Sequence, residues 1–186
     1  MLTIHFKLNK INAPEILIDL RSRIRKLVDK STYIDSSDKN FVYELLDQLP
    51  DGDKLCHGDF HPGNIIVRDG NPFVIDWCGA TKADPVADVA HTYLLFRTVP
   101  KIPGSTNMSN NILKLGGMFS ARTYFKTYKK NYEINTNLFS KWLLVRAAER
   151  TYYGMQSEKE NLVKFLIKCK KDYSTKNECF KWYRFL

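Results

Sequence analysis

The stretch IIVRDGNPFVI, residues 65 to 75, constrains the fold more than any other. Two short runs of β-branched and aromatic residues flank Asp69-Gly70, a strong turn pair, which predicts an antiparallel hairpin. Its register follows from the loop. A two-residue loop at Asp69-Gly70 pairs position 64 with 75 and sets Asn64 and Asp76 on opposite faces. A three-residue loop, Asp69 to Asn71, sets 64 opposite 76 on one face, about 5 Å apart. The apolar residues pair acceptably either way, and the chemistry of the flanking residues favours the three-residue loop.

Those flanks read CHGDFHPGN on one side and DW on the other. His61-Pro62-Gly63-Asn64 has Pro at the second and Gly at the third place of a type II turn, which would bring Asp59 back toward the open end of the hairpin. Asp59, Asn64 and Asp76 then converge as three oxygen-bearing side chains. Hard oxygen ligands completed by water and phosphate suit Mg²⁺. His61 itself is expected to pack or to bond turn backbone rather than to ligate.

Elsewhere the chain reads as helix. Residues 2 to 8, LTIHFKL, satisfy both a strand and a helix period and stay ambiguous. A helix from Pro14 carries Ile16, Leu17, Leu20, Ile24, Leu27 and Val28 on one stripe, and a second starts near a Ser37 N-cap. Asp84-Pro85 reads as an N-cap and first helical position, and Asp88 and His91 fall on that helix. Residues 98 to 109 form a loop. Three further helices are expected over 109–131, 137–154 and 158–172, the last with Ser157 and Glu160 in capping-box spacing. One domain of 186 residues, 44% apolar, has enough material for a core. No run reaches the roughly 20 apolar residues of a membrane span and no signal peptide opens the chain, so a cytoplasmic protein is expected. Cys56, Cys78, Cys169 and Cys179 lack zinc or disulfide spacing and read as reduced thiols, and Trp77 and Cys78 are assigned to packing. Residues 97 to 186 hold 18 Lys and Arg against 6 Asp and Glu. Solvated helix faces explain that excess better than a nucleic-acid surface, for which no arm, finger or aromatic motif is present.

The string HGDFHPGN followed by VIDW resembles the H-G-D-x-x-x-x-N and I-D-W motifs of the aminoglycoside phosphotransferase and choline kinase family, relatives of the protein kinases. ADPVADVAH is similar to the D-P-x-x-D segment of that family. The resemblance is strong over residues 56 to 90 and looser over the rest. It implies an α+β, mostly α fold: a protein kinase-like C-terminal lobe whose small β-hairpin carries the catalytic and metal loops. On this reading residues 1–186 are one domain, with the catalytic segment at 55–96 and a helical substrate side at 109–172. Asp59 would be the catalytic base, Asn64 and Asp76 would hold Mg²⁺ and with it the ATP phosphates, His57 would brace the loop, and Asp88 would support it from the next helix. The implied reaction is ATP- and Mg²⁺-dependent phosphoryl transfer to a hydroxyl of a small molecule, which asks mainly for positioning and charge neutralisation.

One departure matters. No glycine precedes Gly52 and no VAIK-like strand precedes His57, so the glycine loop and lysine of an N-terminal lobe are not in this sequence. A C-terminal lobe without its partner lobe, weak or inactive alone, is expected. Two alternatives remain: a non-catalytic scaffold lobe using its basic helices, and a metal-dependent hydrolase with His57, Asp59 and His61 as H-x-D-x-H ligands. The acceptor is unreadable. The basic excess disfavours a polycationic antibiotic unless Glu133, Glu149 or Glu158 lines the pocket.

Overall fold

The computed structural model describes residues 1–99 and 104–176. The chain folds into seven helices and two small antiparallel sheets among these residues. The order is α1 (Leu2–Leu8), α2 (Leu20–Lys30), α3 (Ser36–Asp47), β1 (Lys54–Cys56), β2 (Ile65–Arg68), β3 (Asn71–Val74), β4 (Thr81–Ala83), α4 (Pro85–Arg97), α5 (Asn107–Asn131), α6 (Thr136–Tyr153) and α7 (Gln156–Lys176). This is the mostly α arrangement with a small hairpin that the sequence predicts.

The centre is made by α4 and α6, which pack on each other and bury residues on nearly all sides. Phe139, Trp142, Leu143, Leu144, Val145, Ala147 and Ala148 of α6 meet Ala87, Val89, Ala90, Tyr93 and Leu94 of α4. A helix apolar all round belongs in an interior, and here α2, α3, α5 and α7 cover it with one apolar face each. Asp84 starts α4 as expected, its Oδ1 accepting the Val86 N–H at 2.7 Å ahead of Pro85.

Two helix starts differ from expectation, and one open segment is settled. The ambiguous segment is the helix α1. The stripe from Pro14 becomes helical only at Leu20, because Asp19 caps the helix by accepting the Ser22 N–H and the Ile18 carbonyl is taken by Lys82 N–H at 3.0 Å. Ile16 is consequently 90% exposed rather than core. Helix α3 starts two residues early, with Asp35 rather than Ser37 as its N-cap. The last three helices fall within a few residues of their predicted spans. Part of the loop after α4, residues 100–103, and Cys179 lie outside the described residues.

β1 pairs with β4, Lys54 opposite Ala83 and Cys56 opposite Thr81. That short ladder closes residues 57 to 80 into one excursion, from which the β2–β3 hairpin projects. Both ends of the excursion leave the body side by side, and His57 after β1 reaches the Ile75 carbonyl after β3.

Candidate active site

The hairpin register is the two-residue one: Ile65 faces Val74 and Arg68 faces Asn71. The expected three-residue loop is wrong because Asp69 and Gly70 both take left-handed backbone, φ 50° and 76°, the geometry of a tight type I′ turn whose twist matches paired strands. Asn64 therefore lies opposite Ile75, whose N–H donates to the Asn64 carbonyl at 3.0 Å. Asp76 follows directly and is itself left-handed, φ 60° and ψ 67°. Strand alternation stops there, so the opposite-face objection to pairing Asn64 with Asp76 does not apply beyond Ile75. The type II turn is also absent. Gly63 is not at positive φ, and Pro62–Asn64 is a single 3-10 turn with the Asn64 N–H on the His61 carbonyl at 3.0 Å.

The turn still carries Asn64 back to Asp59. Asn64 Nδ2 donates to the Asp59 carbonyl at 2.8 Å and to Asp59 Oδ2 at 3.1 Å. With the amide nitrogen committed, the carboxamide oxygen is left for a ligand. His61 Nε2 lies 3.5 Å from the same Asp59 Oδ2, while its Nδ1 accepts the Gly63 N–H at 3.1 Å, the backbone bond expected of a turn histidine. Both neighbours attend one oxygen of Asp59, and Oδ1 has no protein partner among the described residues.

His57 is fully buried. Its Nε2 donates to the Ile75 carbonyl at 3.0 Å and its Nδ1 accepts the Asp59 N–H at 3.2 Å. One ring thus ties the loop to the end of β3. Since both nitrogens are used, His57 has no lone pair for a metal, which removes the H-x-D-x-H hydrolase arrangement. Among the described residues no group of three His, Cys, Asp or Glu is placed to hold an ion. Trp77 packs partly, its ring 4.7 Å from that of His57 and its Nε1 on the Val74 carbonyl, whereas Cys78 is exposed rather than packed.

Behind the loop sits Asp88, 1% exposed. Its carboxylate accepts the His57 N–H at 2.9 Å, the Gly58 N–H at 2.8 Å, His5 Nε2 at 2.8 Å and Asn9 Nδ2 at 3.4 Å. Burial pushes its pKa up, but the hydrogen bond and charge of His5 and the two loop N–H groups outweigh this and hold it at about 2. The sequence reading places Asp88 beside the loop but contains no sign of His5 or Asn9. Nor does it contain the buried ion cluster beneath the 77–79 turn. There Arg146 and Arg23 reach Glu149 at 2.5 and 3.2 Å, and Arg23 also donates to the Gly79 carbonyl at 2.8 Å. Arg146 Nε donates to Nδ1 of His91, a fully buried ring that burial first and then Arg146, Arg150 and Arg23 keep neutral. Glu149 and Glu158 are buried and paired with arginines.

Asp76 has no hydrogen bond or ion pair among the described residues, yet its backbone occupies a region that costs a non-glycine residue on the order of 1 kcal/mol. Asp76→Gly is expected to stabilise the fold by about 0.5–1 kcal/mol while removing the carboxylate that the family resemblance implies for Mg²⁺. Urea denaturation with and without Mg²⁺ checks both halves.

A mostly helical body holding an H-G-D-x-x-x-x-N loop against an I-D-W strand end is the arrangement that the resemblance to the phosphotransferase family implies for a kinase-like C-terminal lobe. The family described as APH, phosphotransferase enzyme family, matches residues 12–104, half of the chain, and the chain belongs to it. No curated protein matches it significantly. Among solved structures it is similar to the amicoumacin kinase hAmiN in complex with AMP-PNP, Ca²⁺ and Ami, at 17% identity and a TM-score of 0.41. That alignment covers 98% of this chain and 52% of the kinase, so the chain spans about half the length of the structure it matches.

Proposed function

We propose that this chain carries the catalytic and metal-binding half of an ATP- and Mg²⁺-dependent small-molecule kinase. The observation that carries the reading is the Asn64 amide anchored on Asp59. It orients the carboxamide oxygen and, by occupying Oδ2, leaves Asp59 Oδ1 for a substrate hydroxyl. Asn64 Oδ1 and the unpaired Asp76 carboxylate fit a hard divalent cation that keeps most of its water and takes phosphate oxygens. Bound there, Mg²⁺ would neutralise phosphate charge. The protein's part is to fix the two ligands, to aim Asp59 at the acceptor, and to accept the hydroxyl proton late in transfer.

Residues 1–53 form three helices and no strand longer than an isolated bridge, so no lysine-bearing sheet lies over the phosphates among the described residues. Activity of the 186-residue chain alone is therefore weak or nil. The same observation favours a second reading, a binding or scaffold lobe without turnover. No described helix is long and apolar enough to cross a membrane. The acceptor is read only as a small molecule with a hydroxyl.

Calorimetry with ATP separates these readings. Mg²⁺-dependent binding that weakens about tenfold or more in Asn64→Ala and Asp76→Ala, but survives in Asp59→Asn, is the expected result. Any residual ATP consumption with an amino alcohol should vanish in Asp59→Asn. ATP binding indifferent to Mg²⁺ and to position 76 overturns the metal assignment, and vigorous turnover by the chain alone overturns the expectation of weak activity.

A further inference from the structure

We propose that His5 is a positioning residue for the catalytic loop, acting through Asp88. This rests on reading the loop of Asp59 as catalytic. His5 comes from α1, a seven-residue helix remote in sequence from every motif, yet its ring is fully buried. Nε2 donates to Asp88 Oδ2 at 2.8 Å, and Nδ1 meets the Tyr124 hydroxyl of α5 at 2.7 Å. The ring also stacks on Phe60, the residue after Asp59, with centroids 4.0 Å apart. His5 thus touches the loop twice: by packing on Phe60, and through the carboxylate that accepts both the His57 and Gly58 N–H groups.

The arrangement is a chain of constraints. A buried carboxylate with four donors has one low-energy orientation, and that orientation dictates where two consecutive loop amides point. His5 is the ring donor of the set, and its own position is fixed from a third element, α5. Asn9 repeats the pattern more weakly: its Nδ2 reaches Asp88 at 3.4 Å while its Oδ1 accepts the Tyr128 hydroxyl at 2.8 Å. Two tyrosines one helical turn apart on α5 therefore hold two polar residues of the α1 segment against one carboxylate. Nothing in a merely space-filling helix would need this matching of donors to acceptors.

Hydrogen exchange at the His57 and Gly58 amides, read by NMR on the 186-residue chain without nucleotide or metal, tests the proposal separately from phosphoryl transfer. In His5→Phe, protection at these two amides should fall about tenfold or more relative to amides of Leu143–Ala148 in α6. His5→Gln, whose amide nitrogen reaches where Nε2 stood, should restore the ratio. Tyr124→Phe, which keeps the ring, should lower it about threefold, and decides the matter if His5→Phe does not fold. A folded His5→Phe with the wild-type ratio, loss spread equally over loop and core, no rescue by Gln, or an unchanged ratio in Tyr124→Phe overturns the assignment.

Discussion

Asp88→Ala is expected to lose about 3–5 kcal/mol of stability, because it deletes one partner of a buried charged network and strands the others. His5 Nε2 and the His57 and Gly58 N–H groups are all within 2.9 Å of the carboxylate and all three residues are buried. Urea midpoints measure the loss, and a variant as stable as wild type would show that the network is not needed for folding. The pH dependence gives a second check. The folded pKa of about 2 lies below the 3.8 of an ordinary aspartate, so the contribution is complete above about pH 4, where both states are ionised. As pH falls from 4 toward 2 the unfolded chain takes up a proton that the native state refuses, and stability drops by on the order of 2–3 kcal/mol. Asp88→Ala should lack that component. His91 acts earlier. Its folded pKa is depressed well below 6.5, so protonation of the unfolded chain below about pH 6.5 already erodes stability in both proteins.

Gly58→Ala carries the second large effect. Gly58 sits at φ 78°, and a Cβ there would overlap the Gly79 carbonyl, 2.8 Å from its carbon and nearer still to its oxygen. Backbone strain of about 1 kcal/mol adds to an overpacking cost of about 1–3 kcal/mol. The loop at His57–Asp59 cannot retreat, since Asp88 holds its amides from behind. The Trp77–Gly79 turn cannot retreat either, since Arg23 holds the Gly79 carbonyl from below. The expected outcome is a loss of about 2–4 kcal/mol in urea denaturation together with loss of Mg²⁺-dependent nucleotide binding. Unchanged binding in Gly58→Ala would mean that the two loops do not have to touch.

These residues also show what a sequence can and cannot disclose. The helices whose apolar stripes run several turns were legible, as was the Asp84-Pro85 start of α4, because cap and periodicity agree locally. The motif likewise disclosed which side chains share the excursion between β1 and β4. Register was not legible: Ile65, Ile66, Phe73 and Val74 pair well in either alignment, and the decision rests on two left-handed residues at Asp69-Gly70. The start of α2 was hidden because Lys82, far along the chain, claims the Ile18 carbonyl. Least legible was the brace of the His57–Asp59 loop. His5 and Tyr124 are 119 residues apart and His5 and Asp88 are 83 apart, so no local pattern announces either contact.

The account depends above all on Asn64 and Asp76 sharing one divalent ion beside Asp59. Paramagnetic broadening by Mn²⁺ in the presence of ATP measures this most directly. The backbone amides at 59, 64 and 76 are expected to broaden first and together, and Asp76→Asn to abolish the effect at all three. Broadening centred on other carboxylates, or persisting at 59 and 64 in Asp76→Asn, would contradict it.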